Sequence, residues 1–299
     1  MFFGNFNEFF MPPEAEEHLG DVKNTFNKSI TSEKGYLGLW LSHHAKSEGK
    51  WIRAKLALAS GELLQVPTDT TVKWASSCEL IHAASLIHDD ICDDDEKRRG
   101  ELSLYKKFGT SAALCSGDFL IIEAYRLISD IEVGWHQTIL TKTLSESVQE
   151  IIRGQIGDTE ASLEEITIEE YERIAYEKTG PLLCLPMMGM FNCREISDDQ
   201  VSGLKKLMSV IGLSYQMIND YHNMSTDKTD LARKHLNFIN IINRNNLQNS
   251  GSYELSKILS KAKFLIYKKL QEVDELVHQV PVIIQPIFKS LTEDLRRKL

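Results

Sequence analysis

The sequence predicts an all-α protein, and three observations support this prediction. Apolar residues recur at helical spacing through most of the chain, whereas strict two-residue alternation is scarce. Only 7 prolines and 17 glycines occur in 299 residues, so few positions force a break in a helix. No internal repeat or low-complexity linker divides the chain. We therefore expect a single all-α domain over residues 1–299.

The helical patterns follow one another between short breaks that contain glycine, proline or serine. These breaks lie at 49, 61–67, 100–109, 134, 154–157, 181 and 250–252. To within about two to four residues at each end, the predicted helices are 14–30, 33–46, 50–65, 68–95, 111–130, 135–158, 167–192, 198–224, 229–246, 253–279 and 284–298. Thr68, Ser197 and Ser252 begin segments whose Ser, Thr and Asp residues are typical of helix starts.

Composition excludes several classes of protein. The formal net charge is -9, which argues against a broad nucleic-acid interface, since such an interface needs a basic patch. The 5 cysteines are scattered without metal-binding spacing and indicate reduced thiols in a cytoplasmic enzyme. The N-terminus lacks the basic region of a signal peptide. No apolar run approaches the roughly 18 residues of a membrane span, so we expect no membrane span.

The most informative segment is an acidic run at the end of the helix predicted over 68–95. It contains Asp89, Asp90, Asp93, Asp94, Asp95 and Glu96 and is followed by Arg98 and Arg99. Clustered carboxylates repel one another unless cations neutralise them, and Mg²⁺ is commonly held by one or two carboxylates together with substrate phosphates. Arginine forks bind phosphate oxygens. The alternative is a solvated acidic helix end.

Two further groups suggest the same chemistry. His82 lies two helical turns before Asp89, although a lone histidine on an apolar face is often a satisfied core residue. Lys50 and Arg53 are three residues apart at a predicted helix start, where anions are favoured, but surface Lys/Arg pairs are common. Together with the acidic run, these groups predict a site for metal-bridged phosphate or diphosphate.

A second, less acidic segment lies near the end of the helix predicted over 198–224. Asn219, Asn223 and Asp227 are spaced i, i+4 and i+8, so their oxygens would line one helix face. That arrangement could hold one more cation. The alternative is a polar helix end.

These motifs resemble those of the trans-isoprenyl diphosphate synthases over nearly the whole chain. The run from Glu79 to Gly100 contains DDxxD followed by RRG at the family's spacing. Weaker matches to GKxxR begin at Gly49, to GQxxD at Gly154, and to KT at Lys178. The resemblance implies an isoprenoid-synthase-type helical bundle around a central apolar cavity, with motif-bearing helices that face each other. It also implies a homodimer.

The resemblance assigns roles to individual residues. Two or three Mg²⁺ ions would be held by Asp89, Asp90, Asp93, Asn219, Asn223 and Asp227. An allylic diphosphate would be bound by Arg98, Lys178, Thr179, Gln216 and Lys234. The diphosphate of isopentenyl diphosphate would be bound by Lys50, Arg53, His82 and Arg99. Asp89, Asp93, Arg98 and Lys178 would be the catalytic set.

The implied reaction is Mg²⁺-dependent condensation of an allylic diphosphate with isopentenyl diphosphate, which releases pyrophosphate. The second motif departs from the family pattern, because Asn219 and Asn223 stand where DDxxD has aspartates, and Arg233-Lys234 replaces the following GK. A class I terpene cyclase, a peptide prenyltransferase and a non-catalytic subunit of a heteromeric synthase therefore remain alternatives.

The product length is partly readable from the family's rule that bulky residues just before the first aspartate stop chain growth. Here those positions are Ala84 and Ser85, both small, which predicts a C20 or longer all-trans product. One turn deeper, Ile81 and Cys78 are expected to face Phe119, Ile122 and Tyr125 of the next helix and to form a lower floor.

Overall fold

The computed structural model describes residues 9–46, 49–160, 167–194, 196–226, 237–243 and 255–299. These residues are almost entirely helical, which confirms the all-α prediction. They form two compact units: residues 1–146 with 185–196, and residues 147–184 with 197–299. The expectation of a single domain stays a prediction.

The first unit contains the N-terminal helices. They are α1 Pro13–Glu17, α2 Leu19–Thr31, α3 Gly35–Ala45, α4 Ile52–Leu63, α5 Thr68–Cys92, α6 Leu104–Phe108 and α7 Thr110–Ser129. Helices α8 Gly134–Glu160 and α9 Ile168–Asn192 each contribute residues to both units. The remaining helices belong to the second unit: α10 Asp198–Thr226, α11 over 238–243, α12 Leu255–Leu276 and α13 Gln285–Arg297. Short 3₁₀ turns occupy Val277–Gln279 and Val282–Ile284.

Helix α5 is the centre of the first unit, and it packs against α2, α4 and α7. It is buried on nearly all sides, as expected for a helix whose apolar residues surround its axis. Trp74 is fully buried, and its indole N–H donates to the carbonyl of Pro186 at 2.8 Å. A Cβ on Gly189 would lie 2.1 Å from the Trp74 ring, so this close contact requires glycine. The apolar packing fixes the end of α5 that carries the acidic run.

Three local features differ from the sequence prediction. The segment predicted as one helix over 14–30 is divided at His18 into α1 and α2. The glycine-containing stretch after the acidic run forms a two-stranded hairpin, β1 Lys97–Arg98 and β2 Glu101–Leu102, followed by the short helix α6. Helix α5 ends at Cys92 rather than near 95, because Asp94 adopts a left-handed conformation with φ 52°.

Candidate active site

The acidic run begins inside α5 and continues through the cap of that helix. The N–H of Asp95 donates to the carbonyl of Asp90 at 3.0 Å, and Asp94 supplies the left-handed residue between them, which is the pattern of a Schellman cap. Asp89 and Asp93 lie one turn apart, since the N–H of Asp93 donates to the carbonyl of Asp89 at 2.8 Å. Both side chains are half-buried. The spacing predicted for these two carboxylates is therefore present.

Asp90 has a different environment from its neighbours. Its side chain is 1% exposed, and Arg98 Nε donates to its Oδ1 at 2.8 Å, with Arg98 Nη2 bonded to the same oxygen. Burial raises the pKa of Asp90, and the hydrogen bond from Arg98 opposes that shift. The carboxylate predicted as a metal ligand thus holds the guanidinium predicted to bind the allylic diphosphate. Its role as a ligand stays a prediction.

The hairpin after the acidic run presents the two arginines. Arg99 has φ 52° and Gly100 has φ 87°, and two consecutive positive φ angles are characteristic of a type I′ turn. This turn pairs Arg98 with Glu101. His43 Nε2 in α3 donates to the carbonyl of Leu102 at 2.9 Å and so anchors the second strand. The RRG sequence is therefore a tight hairpin whose geometry requires the glycine.

Helix α4 brings Arg53 and Lys50 to the same region. Trp51 is left-handed with φ 56°, which delays the helix start to Ile52 rather than 50. Arg53 is 2% exposed and Lys50 is exposed. A Cβ on Gly49 would lie 3.3 Å from Nη2 of Arg99, so the guanidinium of Arg99 packs closely over this glycine. The GKxxR match thus contributes the buried Arg53 and the glycine, Gly49, against which the guanidinium of Arg99 packs.

Glu79 is a polar residue of the site to which the sequence analysis assigned no role. It is 8% exposed in α5, and its Oε1 accepts the N–H of Ala54 at 2.9 Å in the first turn of α4. Burial raises the pKa of Glu79, and the positive charge of Arg53 opposes the shift. The acceptor at the start of α4 is therefore a carboxyl side chain of the protein, at a helix end where carboxyl groups are favoured. The sequence feature that could have identified Glu79 is its position three residues before His82, on the same face of an otherwise apolar helix.

Two histidines complete the cluster. His82 is 8% exposed, and its Nδ1 has no hydrogen-bond partner among the described residues. Burial, followed by the charges of Arg53 and Arg99, lowers the pKa of His82 well below its usual range. Burial and the charges of Arg99 and Arg98 likewise lower the pKa of His44 in α3 to about 4. His44 was not singled out from the sequence, because the resemblance places no functional histidine in that helix.

The predicted chain-length residues lie on α5 and α7, two helices that pack along each other. Ala84 is 1% exposed and Ile81 is 3% exposed, whereas Ser85 and Phe119 are half-buried. The expectation that Ile122 faces α5 is wrong, because its side chain is 67% exposed. The buried face of α7 follows the helical repeat through Ala113, Gly117, Leu120, Ala124 and Leu127, and Ile122 lies off that face.

The second motif lies in α10, in the second unit. Its aspartate, Asp220, accepts hydrogen bonds from other residues of the protein. Asp220 is 4% exposed. Its Oδ2 accepts the hydroxyl of Tyr171 at 2.8 Å and the N–H of Phe238 at 2.8 Å. Its Oδ1 accepts the side-chain amide of Gln216 at 3.0 Å. Asp220 thus ties α9, α10 and α11 together.

The two neighbouring amides keep unused hydrogen-bonding atoms. Gln216 Oε1 and Asn219 Nδ2 are buried and have no hydrogen-bond partner in the ranges described. Gln216 was predicted to bind a diphosphate, yet its N–H group is directed at Asp220, and its remaining oxygen is an acceptor that suits a cation. The side chains of Lys178, Thr179 and Asn223, and the whole of Asp227 and Lys234, lie outside the described residues.

The donor set at the end of α5 suits a magnesium ion that is bound together with its substrate. The described residues contain no ready-made group of three or more histidine, cysteine or acidic side chains for a metal. Mg²⁺ does not need such a group, because it is usually held by one or two carboxylates plus substrate phosphates. Asp89 and Asp93 supply that number of carboxylates, and the adjacent arginines suit the phosphate.

Comparison with known proteins identifies the class and then the family. A heptaprenyl diphosphate synthase structure from Staphylococcus aureus superposes with a TM-score of 0.76 at 22% identity, over 94% of this chain and 97% of that one. The chain therefore has the all-helical isoprenoid synthase fold. The polyprenyl synthetase family profile matches residues 35–272, and the chain belongs to that family of prenyltransferases.

Named relatives span a range of activities. A farnesyl diphosphate synthase from Buchnera aphidicola subsp. Schizaphis graminum is 32% identical over 241 residues, which are 78% of this chain and 78% of that protein. A nonaprenyl diphosphate synthase from Mycobacterium tuberculosis is 28% identical over 197 residues, which are 64% of this chain and 57% of that protein. In the part of the chain that is described, no helix is both long and apolar enough to cross a bilayer.

Proposed function

We propose that the protein extends an allylic diphosphate with isopentenyl diphosphate in a Mg²⁺-dependent reaction, and releases pyrophosphate and a linear all-trans prenyl diphosphate of C20 or longer. The observation that carries this proposal is the polar cluster in the first unit. Arg53 and His82 are buried there beside Arg99, and Lys50 lies three residues before Arg53. An enzyme that only cyclises an allylic diphosphate has no use for a second set of diphosphate-binding side chains.

The carboxylates of Asp89 and Asp93 would hold Mg²⁺, which neutralises charge on the bound diphosphate. Arg98 lies next to them and is held in place by Asp90. When the allylic C–O bond breaks, negative charge grows on the departing diphosphate. A fixed guanidinium stabilises that charge more strongly in the transition state than in the ground state. Gln216, Lys178, Thr179 and Lys234 are proposed partners of the same diphosphate, and Lys178 is proposed to share the catalytic role.

The acceptor site positions the second substrate. Lys50, Arg53, His82 and Arg99 are proposed to hold the diphosphate of isopentenyl diphosphate, so that its double bond attacks the allylic cation. The new C–C bond forms as the acceptor's double-bond electrons are donated, and a proton leaves the neighbouring carbon. Released pyrophosphate takes that proton. No side-chain nucleophile is needed.

Product assays test the function directly. The purified protein is incubated with Mg²⁺ and each allylic diphosphate, with and without isopentenyl diphosphate, and pyrophosphate and prenyl products are measured. Pyrophosphate release that requires isopentenyl diphosphate supports elongation. Release without it would show a cyclase, prenylation of an added peptide would show a peptide prenyltransferase, and no release would show a non-catalytic subunit.

One observation favours the cyclase and peptide-prenyltransferase alternatives. The only aspartate of the 219–223 segment, Asp220, is taken up by Tyr171, Phe238 and Gln216, so the segment offers amides in place of aspartates. Neutral amide oxygens hold a metal less tightly than carboxylates do. If elongation is absent in the assay above, this feature accounts for the loss.

The product length rests on small side chains in α5. Replacing Ala84 with Phe should shorten the product, but Ala84 is 1% exposed, so the larger ring also costs stability by overpacking. Ser85→Phe is the better test, because Ser85 is half-buried. The chain length of the product, analysed together with total turnover, distinguishes the two effects. An unchanged product from a folded Ser85→Phe protein would contradict the assignment of this helix face. Ile81 and Phe119 remain the proposed deeper floor.

A cytoplasmic homodimer is the proposed state of the protein. The cysteines Cys78, Cys92, Cys115, Cys184 and Cys193 are all free thiols, which suits a reducing compartment. Leu114 and Ile122 on α7 are 47% and 67% exposed, and a second copy is proposed to cover these apolar side chains. Sedimentation of wild-type protein and of Ile122→Lys tests the dimer. A monomeric wild-type protein would refute it.

A further inference from the structure

The residue at the N-cap of α4 cannot cap that helix. Trp51 occupies the N-cap with a left-handed backbone, φ 56°, and makes no side-chain capping hydrogen bond. An indole carries an N–H donor but no acceptor, so it cannot satisfy the N–H groups that a helix start leaves free. The ring is used in packing instead, edge-on to Phe26 of α2 with 5.1 Å between the ring centroids. The first turn of α4 therefore needs an acceptor from another element.

Glu79 in α5 supplies that acceptor across the contact between the two helices. Its Oε1 accepts the N–H of Ala54, the third residue of α4, at 2.9 Å. Both residues are buried, with Ala54 0% and Glu79 8% exposed. Burial raises the pKa of Glu79, and the charge of Arg53 opposes that shift. The hydrogen bond needs only a carboxyl oxygen as acceptor, so it forms in either protonation state.

The two ends of this hydrogen bond lie next to two residues proposed to bind the acceptor diphosphate. Arg53 directly precedes Ala54, and His82 follows Glu79 by three residues on the same face of α5. Arg53 is 2% exposed and His82 is 8% exposed, so packing restricts both side chains. Since a single helical turn is rigid, the place of Ala54 against Glu79 sets the relative position of Arg53 and His82.

The loop before α4 is held by different contacts. A Cβ on Gly49 would lie 3.3 Å from Nη2 of Arg99, so that guanidinium packs on the loop, and Trp51 packs against Phe26. The hydrogen bond from Ala54 to Glu79 is a polar contact that joins the helix itself to α5. Loss of the Glu79 acceptor would therefore release the first turn of α4 while the loop stays in place.

We propose that Glu79 is a positioning residue of the acceptor-diphosphate site, which holds the first turn of α4 against α5 and so sets the place of Arg53 relative to His82. The inference rests on the proposed function, because it takes isopentenyl diphosphate as the ligand. Glu79 acts through these two residues and gives no hydrogen bond to the diphosphate. The affinity for the acceptor therefore depends on the reach of the Glu79 side chain and not on its charge.

Two conservative substitutions separate reach from charge. Glu79→Gln keeps an acceptor oxygen at the same distance from the backbone and removes the ionisable group. Glu79→Asp keeps the carboxyl group but shortens the side chain by about 1.5 Å, the length of a carbon–carbon bond, and so breaks the hydrogen bond to Ala54. Glu123→Asp is the matched control, because Glu123 is also 8% exposed but bonds to Arg126 of its own helix at 2.7 Å. A positioning role predicts that only Glu79→Asp is impaired.

Titration calorimetry with isopentenyl diphosphate measures the effect without turnover. Glu79→Asp should bind it more weakly by on the order of tenfold, since a misplacement of about 1 Å can cost up to about a hundredfold. Glu79→Gln and Glu123→Asp should bind as the wild-type protein does. In steady-state kinetics, the KM for isopentenyl diphosphate should rise in Glu79→Asp while the KM for the allylic diphosphate stays unchanged. A general loss of folded protein would lower the apparent kcat and leave both KM values unchanged.

Several outcomes would overturn the inference. They are wild-type affinity in Glu79→Asp, an equal or larger loss in Glu79→Gln, the same loss in Glu123→Asp, and no binding of isopentenyl diphosphate by the wild-type protein. Should Glu79→Asp fail to fold, Glu79→Gln still decides, because a loss of affinity there contradicts the role of reach. If the expected binding pattern appears while isopentenyl diphosphate is not consumed with any allylic diphosphate, the elongation proposal fails and the positioning role of Glu79 stands.

Discussion

Two aspartate-containing segments lie at or near the C-terminal ends of long helices. Residues 89–93 include the last turn and the cap of α5, and residues 219–223 lie in α10. In the first segment, the side chains of Asp89 and Asp93 are half-buried, and of the three aspartates only Asp90 is fully buried. In the second, the single carboxylate, Asp220, is enclosed by three donors from its own unit. Aspartates at the end of α5 therefore keep carboxylates partly accessible, whereas the aspartate of α10 joins helices to one another. A count of aspartates in a motif does not distinguish these uses, whereas burial and partners do.

Asp89→Ala is the most direct test of the contrast between the two segments, because it removes a carboxylate assigned to catalysis. We expect kcat/KM to fall on the order of 10²–10³-fold, as for the loss of one strong electrostatic group in an active site. The melting temperature should change little, since a half-buried carboxylate at a helix end contributes little to packing. Steady-state kinetics and circular dichroism melts check this. Asp118→Ala, which removes a carboxylate with 73% exposure on α7, is the matched control and should keep its activity. Normal turnover in Asp89→Ala would remove the assignment.

Asp220→Asn should give the opposite pattern. An amide places an N–H₂ group against donors from Tyr171 or Phe238, and each buried donor left unsatisfied costs about 1–3 kcal/mol. The urea midpoint should therefore drop clearly, while the folded fraction keeps most of its activity. Tyr171→Phe removes one donor without adding another and should cost about 1 kcal/mol. If Asp220→Asn were as stable as wild-type but inactive, the carboxylate would be a ligand and the contrast between the two segments would fail.

The next prediction concerns the pH dependence of stability, through His44 beside the arginines that follow the first segment. The pKa of His44 is about 4 in the folded protein and about 6.5 when unfolded, so the unfolded state binds an extra proton between those values. Stability should fall as pH decreases from about 6.5 towards 4, by at most about 1.4 kcal/mol per pH unit for this group. His44→Gln should flatten that slope relative to wild-type and to the control His278→Gln, which removes an exposed histidine of the second unit. Urea midpoints at pH 7, 6 and 5 provide the measurement. Identical slopes in all three proteins would contradict the burial of a neutral His44.

The smallest expected effect comes from restoring an aspartate to the second segment. Asn219→Asp adds a carboxylate where the amide Nδ2 has no partner in the described residues, and it should change activity no more than about threefold at saturating Mg²⁺. A shift of the Mg²⁺ concentration that gives half-maximal rate is the more sensitive readout. A large gain in kcat would show that the second segment limits the reaction and would weaken the view that it serves mainly for packing.

The all-α fold was predictable from the sequence, because helical periodicity and scarce breaks determine it locally. The pairing of Asp89 with Asp93 was predictable for the same reason, since i and i+4 positions share a helix face. The hairpin at Lys97–Leu102 was not, because it depends on two consecutive positive φ angles, at Arg99 and Gly100, and strands of two residues carry no periodic signal.

The partners of individual side chains were beyond sequence reasoning. The hydrogen bond from Ala54 to Glu79 joins residues 25 positions apart, and the effect of Arg99 on His44 joins different elements. Such pairs arise from tertiary packing and leave no spacing pattern. The role of Asp220 was hidden in a related way, because its donors Tyr171 and Phe238 lie in other helices.

Three of the left-handed residues in the first unit have a consequence for protein engineering. Trp51, Asp94 and Arg99 all adopt positive φ without being glycine, at a cost of roughly 1–2 kcal/mol each. Trp51 and Asp94 directly follow Lys50 and Asp93, which are proposed to bind diphosphate and metal, and Arg99 is itself a proposed diphosphate ligand. Glycine in place of Asp94 would relieve the backbone strain, but it would also remove the hydrogen bond that Tyr105 Oη donates to Asp94 Oδ1 at 2.8 Å and would loosen the loop that carries the arginines. Substitutions that relieve backbone strain at these positions are therefore expected to lower catalytic activity.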